Sequence, residues 1–168
     1  FALNTLPKPL IGRVQGNAFG GGIGMMAVCD VCIGVTDAKF GLTEVKLGLI
    51  PATISPYVLA RMGEDKARRV FMSARLFGAH EAVSLNLLAR IVAAEDLDAA
   101  IAAEVAPYLL AAPGAVAESK RLTRMLGPQI TPEIIDATID RLVGAWEGDE
   151  APEGIAAFFE KRKPRWQA

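Results

Sequence analysis

The sequence predicts an α/β fold in which strands and short helices are followed by a purely helical region. Two observations support this prediction. Short apolar runs rich in β-branched residues, such as 10–14 and 30–35, alternate with turn residues in the first part of the chain, as is typical of strands. After residue 95 the apolar residues recur with the period of an α-helix. We therefore expect a strand-and-helix part over residues 1–95 and a helical part over residues 96–168.

Local signals give the elements in order. Strands are predicted over 10–14, 30–35, 39–41 and 90–92, and a glycine-rich loop over 16–24 leads into a buried helix over 25–29. Further helices are predicted over 55–62, 64–73, 80–87, 97–111, 113–126, 131–146 and 152–161.

Prolines mark the starts of several predicted helices and the end of the first segment. Pro113, Pro132 and Pro152 are expected at the first position of their helices, where a missing N–H costs nothing. Residues 1–6 resemble the end of a helix that Pro7 stops, so we expect earlier residues upstream of this chain. The opening residues do not have the pattern of a signal peptide.

The composition excludes several classes of partner. The net charge is −1, whereas surfaces that track nucleic-acid phosphates or anionic lipid carry a basic excess. The longest apolar runs are shorter than the roughly 18 residues that a membrane span needs. We expect a cytoplasmic protein without nucleic-acid or membrane partners.

Cys29 and Cys32 form a C-x-x-C motif at the end of a predicted helix. A redox pair is typical of a helix start, where the helix dipole lowers a thiol pKa. No second Cys or His pair lies nearby to complete a zinc site, so we predict no metal. The motif is interpreted as two buried, reduced cysteines at the entrance to a strand.

The glycines allow a dinucleotide-binding interpretation. Gly22, Gly24 and Ala27 match the fingerprint G-x-G-x-x-G/A, and Asp37 ends the next strand. In that fold, however, the first glycine follows the strand directly. Here residues 15–21 intervene and Asp37 comes early, which disfavours this interpretation.

An oxyanion site is the second interpretation of the same glycines. Gly20, Gly21 and Gly22 remove three consecutive Cβ atoms, so a bulky carbonyl group can approach the backbone N–H groups. The helix that follows adds the positive end of its dipole. A flexible surface loop is the alternative, but the flanking apolar residues Phe19 and Ile23 argue against full exposure.

Several stretches together resemble the enoyl-CoA hydratase/isomerase (crotonase) family, in its order and spacing. They are 8–11, 16–22, 29–30, 40–44, 47–51 and 158–166. Residues 154–166 look most like the methylglutaconyl-CoA hydratase branch. The resemblance implies that residues 1–95 are the C-terminal part of a ββα spiral core, incomplete at its N-terminus. It also implies that residues 96–168 form trimer contacts and cover the active site.

The resemblance assigns roles residue by residue. Gly21 matches one of the family's two oxyanion donors, and the second donor belongs to a segment upstream of residue 1. Glu44 matches a catalytic glutamate. Gly24 stands where the family's hydratases carry a second glutamate, and a single glutamate is also the pattern of Δ3,Δ2-enoyl-CoA isomerases. Three functions follow: hydration of a 2-enoyl-CoA, isomerisation of an enoyl-CoA, or non-catalytic binding or scaffolding.

The remaining implied contacts concern the substrate. Gly20, Gly22 and Gly24 are expected to line it, as are Ile50, Pro51, Phe158 and Lys161, with Lys161 meeting CoA phosphates. An acyl-CoA thioester is the implied ligand, with no cofactor beyond its coenzyme A. A homotrimer or hexamer is the implied assembly.

Overall fold

The computed structural model describes residues 1–167 and contains two small sheets. The strands are β1 (Ile11–Val14), β2 (Ala18–Phe19), β3 (Val31–Val35), β4 (Lys39–Gly41), β5 (Phe77–Gly78) and β6 (Arg90–Val92). In the first sheet β1, β3 and β6 lie parallel in that order, with Ile11 opposite Val31. In the second, β4 pairs parallel with β2 and antiparallel with β5.

Eight α-helices account for about half of the described chain. They are α1 (Gly21–Val28), α2 (Ser55–Met62), α3 (Glu64–Phe71), α4 (Ala79–Ser84), α5 (Leu97–Leu109), α6 (Pro113–Leu126), α7 (Pro132–Glu147) and α8 (Glu150–Phe159). Short 3₁₀ turns cover Glu44–Leu47, Ala94–Asp96 and Arg165–Gln167. The predicted α/β architecture with a helical C-terminal region is confirmed, whereas the division at residue 95 stays a prediction.

The start of α1 differs from the sequence prediction. The helix begins at Gly21, so the last four residues of the predicted glycine loop, 21–24, form its first turn. The Gly20 carbonyl accepts hydrogen bonds from the N–H groups of Ile23 (3.0 Å) and Gly24 (3.2 Å), which closes that turn. Glycine has a low helix propensity, and the tertiary contacts described below override it here.

One further prediction needs correction, and two strands were missed. Pro152 is the third residue of α8, which begins at Glu150; proline is still tolerated there because first-turn N–H groups have no intrahelical acceptor. Strands β2 and β5 were not predicted at all. Each has two residues, too few to show alternation, and each is defined by pairing with β4.

The core lies in the first hundred residues. Phe40, Ile23, Ile33, Leu42 and Leu97 are among its largest fully buried side chains, and Phe40 stacks on Phe77 with ring centroids 5.9 Å apart. By contrast, helices α6 and α7 contain no fully buried residue. The helical region therefore presents much apolar surface.

One pair of helical segments has the length and composition of a membrane span. Within residues 1–167 no single helix is long and apolar enough to cross a membrane. Residues Ala94–Leu109 and Pro113–Leu126 together meet the length and composition test, but they are bent by 103°.

Candidate active site

The N-terminus of α1 presents free backbone donors. Gly20 precedes the helix with φ 48° and ψ −114°, a conformation that disfavours any residue with a Cβ, and its N–H donates to the Gly41 carbonyl at 3.0 Å. The N–H groups of Gly21 and Gly22 have no acceptor within residues 1–167. A Cβ on Gly21 would contact nothing within 4 Å. Gly21 is exposed, so a ligand carbonyl can approach its N–H group.

Glu44 lies directly against this turn. It is the first residue of the 3₁₀ turn Glu44–Leu47, and its Oε1 atom lies 2.9 Å from where a Cβ on Gly20 would stand. A side chain at residue 20 would therefore displace the carboxylate. The absence of a side chain at Gly20 is what lets the carboxyl of Glu44 approach the start of α1.

The Glu44 carboxyl is poorly solvated. Its Oε2 atom is buried and has no hydrogen-bond partner among the described residues. Burial raises the pKa of Glu44 above its ordinary value, and a hydrogen bond that the carboxylate accepts from its own backbone opposes this in part. A raised carboxyl pKa suits a group that must both take and give a proton near neutral pH.

Helix α8 supports the Glu44 turn from outside through two glycines. A Cβ on Gly154 would lie 2.5 Å from the carbonyl carbon and oxygen of Leu47. Gly48, at φ 69°, meets the backbone of Glu150 and Ala151 in the same way. Backbone therefore packs on backbone, and the end of the chain fixes the turn that carries Glu44.

Gly24 faces Ile54. Gly24 is buried, and a Cβ there would clash with Cγ2 of Ile54 and lie 2.9 Å from its Cβ. Ile54 therefore covers the side of Gly24 where a side chain would stand, and the predicted contact between Gly24 and a substrate stays a prediction. The sequence analysis missed Ile54, although an isolated glycine inside a helix is a signal of close packing by another element.

The other predicted substrate contacts are more dispersed. Ile50 is half-buried and Pro51 is buried, both shortly after the Glu44 turn. Phe158, 66% exposed, packs edge-on against Phe159 at the end of α8. Lys161 is exposed, with φ 54°. No hydrogen bond or ion pair within residues 1–167 joins these side chains to Glu44, so their roles stay predictions.

The two cysteines lie outside this site. Both sulfur atoms pack against Gly12, and they are not joined in a disulfide. Cys32 is buried as predicted, whereas Cys29 is only half-buried. A hydrogen bond from the Cys32 thiol lowers the pKa of Cys29 to about 7, against the effect of burial. In the described part of the chain no group of three or more His, Cys, Asp or Glu side chains could hold a metal ion.

A cavity of ≈400 Å³ also lies away from Glu44. It is bounded by α2 and the segment after α6, and its lining includes Tyr57, Arg61, Arg124 and Gln129. Neither the α1 glycines nor the Glu44 turn borders it. The free donors and the partnerless Oε2 atom of Glu44 make the start of α1 the better candidate for chemistry.

The sequence and the fold identify the family. The family model described as Enoyl-CoA hydratase/isomerase matches residues 1–168. The chain therefore belongs to the enoyl-CoA hydratase/isomerase family. Relatives from Thermus thermophilus and Bacillus subtilis, both bearing enoyl-CoA hydratase names, are 36% and 32% identical over 96% and 98% of this chain. The chain spans 64% and 65% of their lengths.

Solved structures share the fold. An enoyl-CoA hydratase from Mycobacterium avium superposes with a TM-score of 0.85 at 30% identity, over 98% of this chain and 65% of that one. An enoyl-CoA hydratase from Shewanella pealeana is 42% identical with a TM-score of 0.72, over 98% of this chain and 62% of that one. A methylmalonyl-CoA decarboxylase shares the fold alone, at 24% identity and a TM-score of 0.83.

Proposed function

We propose that the protein adds water to a 2-enoyl-CoA thioester, through an enolate held by the N-terminus of α1. One observation carries the proposal: the partnerless, buried Glu44 carboxyl oxygen lies beside a helix start whose Gly21 N–H is free. Such preorganised donors are typically worth several kcal/mol when charge develops on a carbonyl oxygen. The names of the relatives agree with this reaction class.

Each group has a defined part in the proposed reaction. Glu44 takes a proton from water, and the water oxygen forms a bond to C3. The electrons of the C2–C3 double bond move toward the thioester, and the Gly21 N–H donates to the resulting oxyanion. Glu44 then returns the proton to C2, which yields the 3-hydroxyacyl-CoA and the starting form of the enzyme.

Isomerisation is the second candidate, and Gly24 is the observation that favours it. Among the described residues Glu44 is the carboxylate whose oxygen lies beside the glycine turn, and residue 24 has no side chain. One carboxylate suffices to move a proton from C2 of a 3-enoyl-CoA to C4. The same enolate and the same N–H donors would serve both reactions.

The acyl group and the assembly are part of the proposal. Residues 154–166 resemble the methylglutaconyl-CoA hydratase branch, which suggests a branched or glutaconyl-type acyl group. The exposed Phe158 and Lys161 would contact the CoA portion of the substrate. The apolar faces of the C-terminal helices suit a trimer or hexamer. No cofactor is proposed beyond the coenzyme A of the substrate, and the cytoplasm remains the proposed compartment.

A substrate panel tests these functions. The whole protein and its Glu44→Gln variant are assayed with crotonyl-CoA, 3-methylglutaconyl-CoA and a 3-enoyl-CoA, and the absorbance of the conjugated thioester is followed. If the absorbance of either conjugated thioester falls with the unmodified protein but not with Glu44→Gln, hydration is supported. A gain from the 3-enoyl substrate alone supports isomerisation. Binding of all three without turnover would contradict both and favour a non-catalytic binding protein.

Lys161 can be tested separately as a CoA contact. We expect Lys161→Ala to weaken binding of CoA thioesters several-fold with little effect on turnover at saturation, since an ionic contact with phosphate stabilises substrate and transition state alike. Lys8→Ala, which removes another exposed lysine outside the Glu44 turn, is the control. Equal affinities of Lys161→Ala and the unmodified protein would contradict the contact.

A further inference from the structure

The two cysteines form a dithiol at the junction of α1 and β3. Cys29 directly follows α1, and Cys32 is the second residue of β3, where it stands opposite Gly12 of β1. A Cβ on Gly12 would lie 2.5 Å from Sγ of Cys32 and 3.2 Å from Sγ of Cys29. Because Gly12 has no side chain, the two sulfur atoms share one space over β1.

A hydrogen bond joins the two thiols, and in it the thiol of Cys32 donates to the sulfur of Cys29. This bond favours the thiolate of Cys29 and lowers its pKa to about 7, against the effect of burial. The same bond and burial raise the pKa of Cys32. Sulfur atoms in hydrogen-bond contact need only a small side-chain movement to reach the S–S bond length of about 2 Å.

The charges around the pair offset its place at a helix end. A helix C-terminus disfavours a thiolate, so the sequence position alone is unfavourable for a redox pair. Arg61 donates to the backbone carbonyl of Asp30 at 3.1 Å, and Lys120 forms an ion pair with the Asp30 carboxylate at 2.7 Å. Both cations add to the effect of the hydrogen bond on the pKa of Cys29, whereas Asp30 opposes them.

The two thiols differ in their access to solvent. Cys29 is half-buried, whereas Cys32 is buried with 3% of its surface exposed. An incoming reagent therefore reaches Cys29 first, and Cys32 is the thiol next to it. A partly exposed thiol of low pKa beside a second thiol is the arrangement in which the first attacks and the second resolves the product.

We propose that Cys29 and Cys32 are a reversible dithiol–disulfide site that exchanges with small-molecule disulfides such as glutathione disulfide. The Cys29 thiolate attacks one sulfur atom of glutathione disulfide, which forms a mixed disulfide and releases one glutathione thiolate. That thiolate takes the proton of Cys32, whose sulfur attacks the Cys29 sulfur and releases the second glutathione thiolate. The pair is oxidised by two electrons, and the glutathione disulfide is reduced. This site is independent of the proposed acyl-CoA chemistry.

Peptide mapping of the whole protein tests the proposal. No Lys or Arg lies between Arg13 and Lys39, so trypsin releases both cysteines in one peptide, residues 14–39. The folded protein is incubated with glutathione disulfide at pH 7, quenched with acid, alkylated and digested. We expect this peptide to lose two hydrogen atoms and to escape alkylation, and dithiothreitol to restore both thiols. A peptide that is still fully alkylated, or one that keeps a bound glutathione, would overturn the proposal.

Single substitutions test the two roles. We expect Cys32→Ala to stop at the mixed disulfide and to keep one glutathione, because no resolving thiol is left. Cys29→Ala should react at least about tenfold more slowly, because its one thiol in this motif is buried and has a raised pKa. In urea the two variants should react at similar rates, which controls for the thiols themselves. Equal rates in the folded variants would overturn the assigned roles. If a variant does not fold, the mapping of the unmodified protein still decides.

Discussion

The carboxyl of Glu44 is held where its ionised form is poorly solvated. An acid whose folded-state pKa is raised binds more protons in the folded state, so folding stability falls as pH rises from its unfolded pKa through its folded pKa. Above that pH range the carboxyl is ionised in the folded state, and its poor solvation lowers the free energy of unfolding. Such costs are common at functional sites, where stability is exchanged for reactivity.

We therefore expect Glu44→Gln to be more stable than the unmodified protein at neutral pH, because the variant has no charge to desolvate at this position. The difference should shrink as pH falls through the raised folded-state pKa and should be gone below the unfolded pKa of glutamate, because the native carboxyl is then protonated. Urea denaturation across pH measures it. A variant less stable than the unmodified protein at pH 7 would contradict the account.

Glu81 is the matched control, because its pKa is lowered whereas that of Glu44 is raised. Arg75 donates to its carboxylate at 2.8 Å, and this hydrogen bond lowers the pKa of Glu81. The resulting stability is present above the unfolded pKa and is lost as pH falls through the folded pKa. Glu81→Gln should therefore be less stable than the unmodified protein at neutral pH, with the deficit fading in acid.

Substitution of Gly20 tests its contact with Glu44. Gly20→Ala would place a Cβ at positive φ and 2.9 Å from Glu44 Oε1. We expect a loss of about 1–2 kcal/mol in unfolding free energy and a fall in turnover of more than about tenfold. Gly16→Ala, whose Cβ would meet nothing within 4 Å, should change neither quantity. Equal behaviour of the two variants would show that the Glu44 contact is unimportant.

At the scale of elements, α8 fixes the turn that carries Glu44. Gly154→Ala would force α8 away from Leu47, and we expect a loss of about 1–3 kcal/mol, as for other overpacked contacts. Activity should fall as well, since the Glu44 turn loses its support. Thermal unfolding and turnover of the folded variant measure the two effects.

Gly144→Ala, on α7, is the control for glycine in a helix. Its Cβ would meet nothing within 4 Å, so the better helix propensity of alanine should raise stability by roughly 0.5–1 kcal/mol. If both glycine variants gain stability, α8 does not pack on the Glu44 turn as described.

Elements with strong local signals were predicted from the sequence. Helices α2 and α6 and strand β6 have their predicted bounds, because glycine, proline and apolar periodicity mark them. The start of α1 was missed because Gly41 and Gly20 meet only in the fold. The contacts of Ile54 with Gly24 and of Gly154 with Leu47 join segments distant in sequence, so spacing alone could not reveal them.

At the scale of the whole molecule, the C-terminal helices present apolar side chains to solvent. Leu110, directly after α5, and Met125 and Leu126, at the end of α6, are 91%, 64% and 75% exposed. Contiguous apolar surface of the kind that Met125 and Leu126 form is typical of sites where proteins associate. We predict that these helices associate with further copies of the chain. Sedimentation should show a trimer or hexamer, and Met125→Glu with Leu126→Glu should dissociate it.

Met72→Glu is the control for that experiment, because Met72 is 70% exposed but lies just after α3. It should leave the assembly intact. A protein that sediments as a monomer at micromolar concentration, before any substitution, would contradict the predicted association.

Solvent deuterium incorporation tests the central claim most directly. The product of crotonyl-CoA turnover in D₂O is analysed for deuterium at C2, beside the product formed by Glu44→Gln. We predict incorporation by the unmodified protein and a loss of more than about a hundredfold in its rate in the variant, as for removal of a general acid/base. Incorporation at an unchanged rate in Glu44→Gln would show that another group transfers the proton.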